Sequence, residues 1–364
     1  MADVSGKIKE LEDQLRDAQY NKATEHHFGV VKAQIAKLRE KIEKQASKKG
    51  TGAGFGVKKS GDATVVLLGF PSVGKSTLLN VLTAAKSKVA AYEFTTLTVI
   101  PGVMKYNQAK IQILDIPGIL EGASAGRGRG KEVLSIVRGA DLILILIDAM
   151  HPEHHRAILK ELTDAGVRIN QTPPDVRITK KARGGIGIGS TVPLLLDKKT
   201  MADILREFRL SNADVLIRSR VDIDSFIDAV EGNKRYTPAL TVITKIDMLG
   251  PEKQKEIIEK IKPDLVVSAE QNTNIDELRD NIFTKLNFIR IYLKEVNEKP
   301  DLDVPMIMQK GNKIRDVCTK IHKDFVKKFR FARVWGKSAK FPGQAMRNLD
   351  KHLEDGDIVE IHIS

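Results

Sequence analysis

Apolar residues fall along this chain in two rhythms. Up to about residue 50 they recur every three or four positions: Ile8, Leu11, Leu15 and Ala18, then Val31, Ile35, Leu38 and Ile42. That spacing predicts two amphipathic helices, with Asn21-Lys22-Ala23-Thr24 at the bend and Thr24 as a cap before Glu25. Each stripe is narrow, so the helices are expected to pair with each other or with another protein. From Asp62 the rhythm becomes short, near-continuous apolar runs separated by helical stretches. The runs are Val65-Val66-Leu67-Leu68, Lys110-Ile111-Gln112-Ile113-Leu114, Leu142 to Ile147, Leu240-Thr241-Val242-Ile243 and Leu265-Val266-Val267. Strands of this kind alternating with helices predict an α/β fold, a parallel sheet covered on both faces.

One interval is too long for that pattern. Asp148 and Thr244 are separated by far more chain than one helix and two loops require. Residues 166–234 hold a Pro-Pro pair, Lys180-Lys181-Ala182-Arg183, a glycine-rich run from Gly184 to Gly189, and helical patterns around Met201–Phe208 and Ser225–Val230. They read as an inserted α+β domain. A helix is expected from Asp276 to about Phe288. The end of the chain predicts a strand at Pro305–Met308, a helix over Lys313–Lys328, a strand at Arg330–Trp335 and a last strand at Asp357–His362. That is a short sheet with one helix laid across it. The expected domains are therefore 1–50 (helical), a Gly/Lys/Ser-rich linker at 51–61, a core at 62–165 and 235–289, the insert at 166–234, and a final domain at 290–364.

Composition adds two constraints. The single cysteine, Cys318, suits a reducing compartment and excludes an internal disulfide framework. Met1-Ala2-Asp3-Val4-Ser5 lacks the layout of a secretory signal, and no run approaches the roughly 20 apolar residues of a membrane span. A soluble cytoplasmic protein with no membrane partner is expected. The net charge of +13 is unevenly spread: Lys310 to Arg347 carries twelve Lys/Arg against two Asp/Glu. Such a concentration is what a phosphate backbone attracts, though no DNA sequence specificity is expected from it.

The chemistry begins at Gly69-Phe70-Pro71-Ser72-Val73-Gly74-Lys75-Ser76-Thr77, between a buried strand and the helical run Leu78-Leu79-Asn80-Val81-Leu82. Gly69 and Gly74 allow the backbone to curl so that successive N–H groups point inward at phosphate oxygens, and the following helix adds its positive end. Lys75 would reach the β- and γ-phosphates, and the Ser76 hydroxyl would hold Mg²⁺. Asp115-Ile116-Pro117-Gly118 follows a second strand, where Asp115 could hold a Mg²⁺-bound water and the Gly118 N–H could touch a γ-phosphate. Between them lie Thr95 and Thr96, either of which could bring a hydroxyl to the metal. Thr244-Lys245-Ile246-Asp247 supplies a carboxylate, Asp247, that matches the two adjacent donors on guanine's edge and rejects adenine. Lys245 would lie along the base plane, and Ser268-Ala269 could add an N–H to the guanine oxygen.

Other positions shape this reading. Ile119 stands after Gly118, where a glutamine would orient the attacking water; isoleucine cannot hydrogen-bond it, so intrinsic turnover should be slow. Arg127 or Arg129, in the glycine-rich stretch that follows, is either a cis arginine finger or a side chain that is simply solvated or touches a partner. His151, His154 and His155 read as a helix entry rather than a metal site, and Cys318 as core. Phe325, Phe329, Phe331 and Trp335 interleave with basic residues and read as the core of the last domain in preference to a base-stacking surface.

The stretches GFPSVGKSTLL, YEFTTLTVIPG, DIPGILEGA, TKID and SA resemble those of the developmentally regulated GTP-binding protein family, relatives of the Obg GTPases. The likeness spans the chain. Residues 21–27 resemble that family's N-terminal helix-turn-helix, and 166–234 sit where the family inserts a domain similar to a ribosomal protein fold. The end, with Ala332-Arg333-Val334-Trp335-Gly336 and Leu353 to Val359, is similar to its β-grasp-like TGS domain. The resemblance implies GTP and GDP as ligands, Mg²⁺-dependent hydrolysis, association with ribosomes or ribosomal RNA, and no separate exchange factor. It favours Thr96 as the switch threonine. Relatives often respond to potassium, so K⁺ enters as a second cation, although Ser72 stands where cation-dependent GTPases usually carry Asn. Thr244 replaces the more usual Asn. Eukaryotic members bind a regulatory protein. The alternative is a binding module for which GTP fixes the shape and hydrolysis is incidental.

Overall fold

The computed structural model describes residues 2–47, 61–83, 99–116 and 130–363. The chain begins with α1 (Ala2–Asp17) and α2 (Glu25–Ser47), followed by β1 (Ala63–Leu68), α3 (Lys75–Thr83), β2 (Ile100–Tyr106), β3 (Ala109–Asp115), α4 (Gly130–Gly139), β4 (Leu142–Asp148) and α5 (His154–Asp164). Next come β5 (Val167–Ile169), β6 (Val176–Lys180), β7 (Ile186–Ser190), α6 (Lys198–Glu207), β8 (Ala213–Ile217), α7 (Ile223–Glu231) and β9 (Arg235–Thr237). The chain then forms β10 (Ala239–Thr244), a 3-10 turn at Ile246–Met248, α8 (Pro251–Ile261), β11 (Leu265–Val266) and α9 (Ile275–Lys285). It ends with β12 (Phe288–Leu293), β13 (Met306–Gln309), α10 (Ile314–Ile321), α11 (Lys323–Lys328), β14 (Phe329–Trp335), β15 (Gln344–Met346) and β16 (Ile358–Ile363).

Two compact units result. One contains the six-stranded sheet, ordered β11-β10-β4-β1-β3-β2, in which every pairing is parallel except β2 with β3. β1 and β4 are buried along their whole length, as their unbroken apolar runs require. Helix α3 buries Leu78, Leu79 and Leu82 in the same core. All the parallel strands end on one edge, so β1, β3, β4, β10 and β11 bring their carboxyl ends, and the motifs that follow them, to one side.

The same unit holds the C-terminal sheet, ordered β13-β12-β16-β14-β15. Ile289, Ile291, Ala332, Val334 and Val359 pack on one face of it against Ile314, Val317 and the buried Cys318 of α10. The expected helix over 313–328 is in fact two. His322 is extended (φ −161°, ψ 139°) and its Nδ1 accepts from the Asp324 N–H at 3.2 Å, ending one helix and capping the next. The helix expected to reach Phe288 stops at Lys285. Asn287 turns through the left-handed region (φ 50°), and Phe288 opens β12.

The other unit joins the N-terminal helices to the insert. Leu11, Val31 and Ile35 seal α1 on α2, with Ile8, Leu15 and Leu38 beside them. Helix α2 also gives Phe28 and, from its other side, Ala33 to the insert's core, with Met201, Ile204 and Leu205 of α6 and Phe226 of α7. A three-stranded sheet, β6-β8-β7, completes it. The narrow stripe on α2 was therefore only one of its two contact faces.

Close approach of α2 to α6 depends on Gly29. A Cβ there would lie 2.8 Å from Thr200 Cγ2 and 3.3 Å from Ile204 Cδ1, whereas a Cβ on Gly6 would meet nothing. Helix propensity alone favours alanine at both positions by about 0.5–1 kcal/mol. Gly6→Ala should therefore raise stability by that amount, while overpacking at Gly29→Ala should cancel the gain and cost about 1 kcal/mol net, read by urea denaturation.

Candidate functional site

The phosphate-loop candidate spans the turn from β1 into α3. Gly69 is required by space: a Cβ there would sit 2.7 Å from Val73 Cγ1 and 2.9 Å from the Leu146 carbonyl oxygen. Gly74 is required by conformation, with φ at 92°, and Ser72 also adopts a left-handed backbone at 62°. Val73 is buried in the core while Pro71, Ser72 and Thr77 face solvent. Lys75 Nζ donates to the carbonyls of Gly69 and Phe70, both at 2.9 Å, which folds the ammonium back into the loop. Burial lowers the Lys75 pKa, and the nearby Asp115 charge counters part of that.

Ser76, in the first turn of α3, meets Asp115 at the end of β3. The Ser76 hydroxyl donates to Asp115 Oδ2 at 2.6 Å. Asp115 is buried, and its other oxygen, Oδ1, has no hydrogen-bond partner among the described residues. A hydroxyl and a carboxylate with an uncommitted, buried oxygen form a hard oxygen donor set, which fits Mg²⁺.

On the other side the base motif is tied to the loop. Thr244 Oγ1 donates to the Val73 carbonyl at 2.8 Å and lies 3.3 Å from that of Ile147. Lys245, left-handed at φ 56°, places Nζ 2.8 Å from Asp148 Oδ2. Burial pushes the Asp148 carboxyl up, but hydrogen bonds from Lys245 and the Met150 N–H outweigh it and leave the group below the usual carboxylate range. Its share of stability is thus present at neutral pH and lost only as pH falls through that lowered value. Asp247 is exposed in the 3-10 turn that follows. Ser268 is buried at the end of β11, beside β10, with its hydroxyl accepting from the Gln271 N–H at 3.2 Å, and Ala269 is half-buried.

Sequence reasoning reached most of these groups but missed two. Asp148 ends a strand on the ligand side of the sheet, yet carried no motif to give it a role. Phe70, inside the loop, stacks on His154 with ring centroids 3.7 Å apart. The helix entry expected at the histidines is there, since α5 begins at His154. Glu153 also stands with His151 and His154, one ligand atom of each lying within 4.8 Å of the others, a grouping not anticipated from spacing. Thr95, Thr96, Gly118, Ile119, Arg127 and Arg129 lie outside the described residues.

Three family models account for most of the chain. One described as a 50S ribosome-binding GTPase matches residues 64–180, the C-terminal region of that domain matches 183–288, and a TGS domain matches 289–363. An uncharacterized GTP-binding protein of Methanocaldococcus jannaschii is 52% identical, with 100% of this chain and 94% of that protein covered. Developmentally-regulated G-protein 3 of Arabidopsis thaliana is 47% identical, with 99% of each covered. The chain belongs to the developmentally regulated GTP-binding protein family. As a member of that family it binds guanine nucleotide and is a GTPase. Among solved structures, a GTP-binding protein from Pyrococcus horikoshii matches with a TM-score of 0.40 at 15% identity, over 83% of this chain and 100% of that one.

In this GTPase Asp148 holds Lys245 in place. Asp148→Ala should weaken GDP binding by about tenfold, the loss of one charge-assisted hydrogen bond. Asp148→Asn, which keeps an acceptor, should recover part of it; calorimetry with GDP reads both.

Proposed function

We propose that this GTPase is a Mg²⁺-dependent cytoplasmic switch of the translating ribosome, and that its C-terminal domain contacts RNA. One observation carries the reading: the domain that concentrates basic residues is built onto the nucleotide-binding core. Ile307 of β13 and Phe288 of β12 join the core cluster of the six-stranded sheet. Lys320 Nζ lies 3.1 Å from Asp62 just before β1, and Gln108 Nε2 donates to the Asp303 carbonyl at 3.1 Å. Contact with a polyanion at one end is thereby joined to the nucleotide at the other.

In this reading the amides of residues 69–77 cradle the phosphates and Lys75 meets the β- and γ-oxygens. Ser76, Asp115 and Thr96 would hold the metal, which when bound would neutralise charge on the phosphates. The Gly118 N–H would serve the γ-phosphate. Asp247 accepts from the guanine edge, Lys245 flanks the base, and Ser268-Ala269 donate to its oxygen. Ile119 leaves the attacking water unoriented, so hydrolysis is slow until a partner supplies the missing group. That same residue favours the second reading, a binding module in which GTP sets the shape.

Two experiments bear on this. Asp247→Asn exchanges an acceptor for a donor at the base edge, so GTP affinity should fall by more than tenfold while XTP, with an oxygen in place of the amine, gains. Adding ribosomes to the pure protein should raise its slow GTP turnover and retain the GTP form on sucrose gradients. Ribosomes that neither bind it nor change its rate would leave only the binding-module reading.

A further inference from the structure

The C-terminal sheet has two unlike faces. One is filled by α10 and the core. On the other, strand register aligns Phe331 with His362, Arg333 with Glu360 and Trp335 with Ile358. At its β13 edge this second face is covered, because Ile307, in register with Arg290, packs into the core of the six-stranded sheet. At β14 and β16 no other described element covers it: Phe331 and Trp335 are half-buried, 20% of the His362 side chain is exposed, and 51% of that of Arg333.

The chemistry of the bare end is specific. The Phe331 and His362 rings stack with centroids 4.2 Å apart and planes within 14°, forming a two-ring column across the strands. β12 ends at Leu293, opposite Val359, so no strand residue stands beside His362 to extend that column. The carboxylate of this face, Glu360, is only 2% exposed: it is paired with Lys294, hydrogen-bonded to His362 Nε2 at 2.7 Å, and lies 4.0 Å from Arg333 Nη1. The ammonium of Lys294 lies 5.1 Å from the Trp335 ring centroid. A flat aromatic column and an exposed guanidinium, 4.0 Å from a carboxylate already held by Lys294, suit a polyanion whose units carry π-faces.

We propose that the bare end of this sheet binds single-stranded RNA, with an unpaired base continuing the Phe331–His362 stack and Arg333 on an adjacent phosphate. The inference rests on the reading above that this domain contacts RNA, and narrows it to one face and one state of the strand. A duplex hides its base faces and could use only the charges. An acidic protein segment would match Arg333 but leave the ring column unused.

Trp335 is the sole tryptophan of the chain and borders the site, so its fluorescence reports on this face alone. Short oligoadenylate added to the full-length protein should change that emission saturably, and the same strand annealed to its complement should bind at least tenfold more weakly. His362→Ala and Arg333→Glu should each weaken oligoadenylate binding about tenfold when measured at a temperature where circular dichroism shows both variants folded. Lys327→Glu, on α11, should only reduce the dependence on salt. RNA that binds with Trp335 silent and both face variants unaffected would overturn the sheet-face proposal and leave the general RNA reading intact. Equal affinity for duplex would overturn stacking, and an oligoglutamate peptide moving Trp335 as strongly as RNA would reassign the face to acidic protein. No RNA binding in any arm would remove both readings together.

Discussion

Thr244 and Val73 stand 171 residues apart in the chain, yet they share a 2.8 Å hydrogen bond. The hydroxyl is buried and so is the peptide it meets, so the bond is both protected from water and costly to leave unmade. It joins the strand that carries the candidate base motif to the candidate phosphate loop. Lys245 and Asp148 repeat the tie one residue further along, between adjacent strands. The candidate nucleotide site is thus cross-braced at the carboxyl edge of a parallel sheet, with the Thr244 hydroxyl supplying the donor toward the loop.

Much of the fold is legible in the sequence because parallel strands buried on both faces must be apolar throughout, and Val65–Leu68 and Leu142–Ile147 have no other reading. β2 is less legible. Ile100–Tyr106 contains a proline and a glycine and lies at the sheet edge, where both are tolerated. Its Gly102 lets α3 approach, since a Cβ there would sit 2.5 Å from Thr83 Cγ2. That kind of constraint leaves no periodic trace. The break at His322 is hidden for a similar reason: helix-forming residues flank it on both sides, and one extended backbone decides the matter.

The site was legible where a motif names its chemistry and illegible where a residue acts on another residue. Gly69, Lys75, Ser76, Asp115 and Asp247 each follow from what a phosphate, a metal or a purine edge demands. Asp148 acts on Lys245, and Phe70 rests on His154; neither touches a predicted ligand group, so spacing arguments pass over them. The aromatic residues of the last domain divide in the same way. Phe325 and Phe329 pack against its core, as expected, whereas alternation along β14 turns Phe331 and Trp335 to the other face.

The sharing of one core by α2 and the insert sets the order in which the chain can fold. The N-terminal helices leave the ribosome first, but their second apolar face has nothing to cover it until α6 and α7 have been made. About 180 residues of synthesis lie between the end of α2 and the end of α7, which at roughly 5–20 residues per second is a wait on the order of 10–40 seconds. The six-stranded sheet is interrupted in the same way, since β10 and β11 follow the whole insert. Each half of this molecule is therefore discontinuous in the chain, and each emerges before its other half exists. A slow codon placed inside residues 166–236 would lengthen the time for which bare helix faces sit at the tunnel mouth.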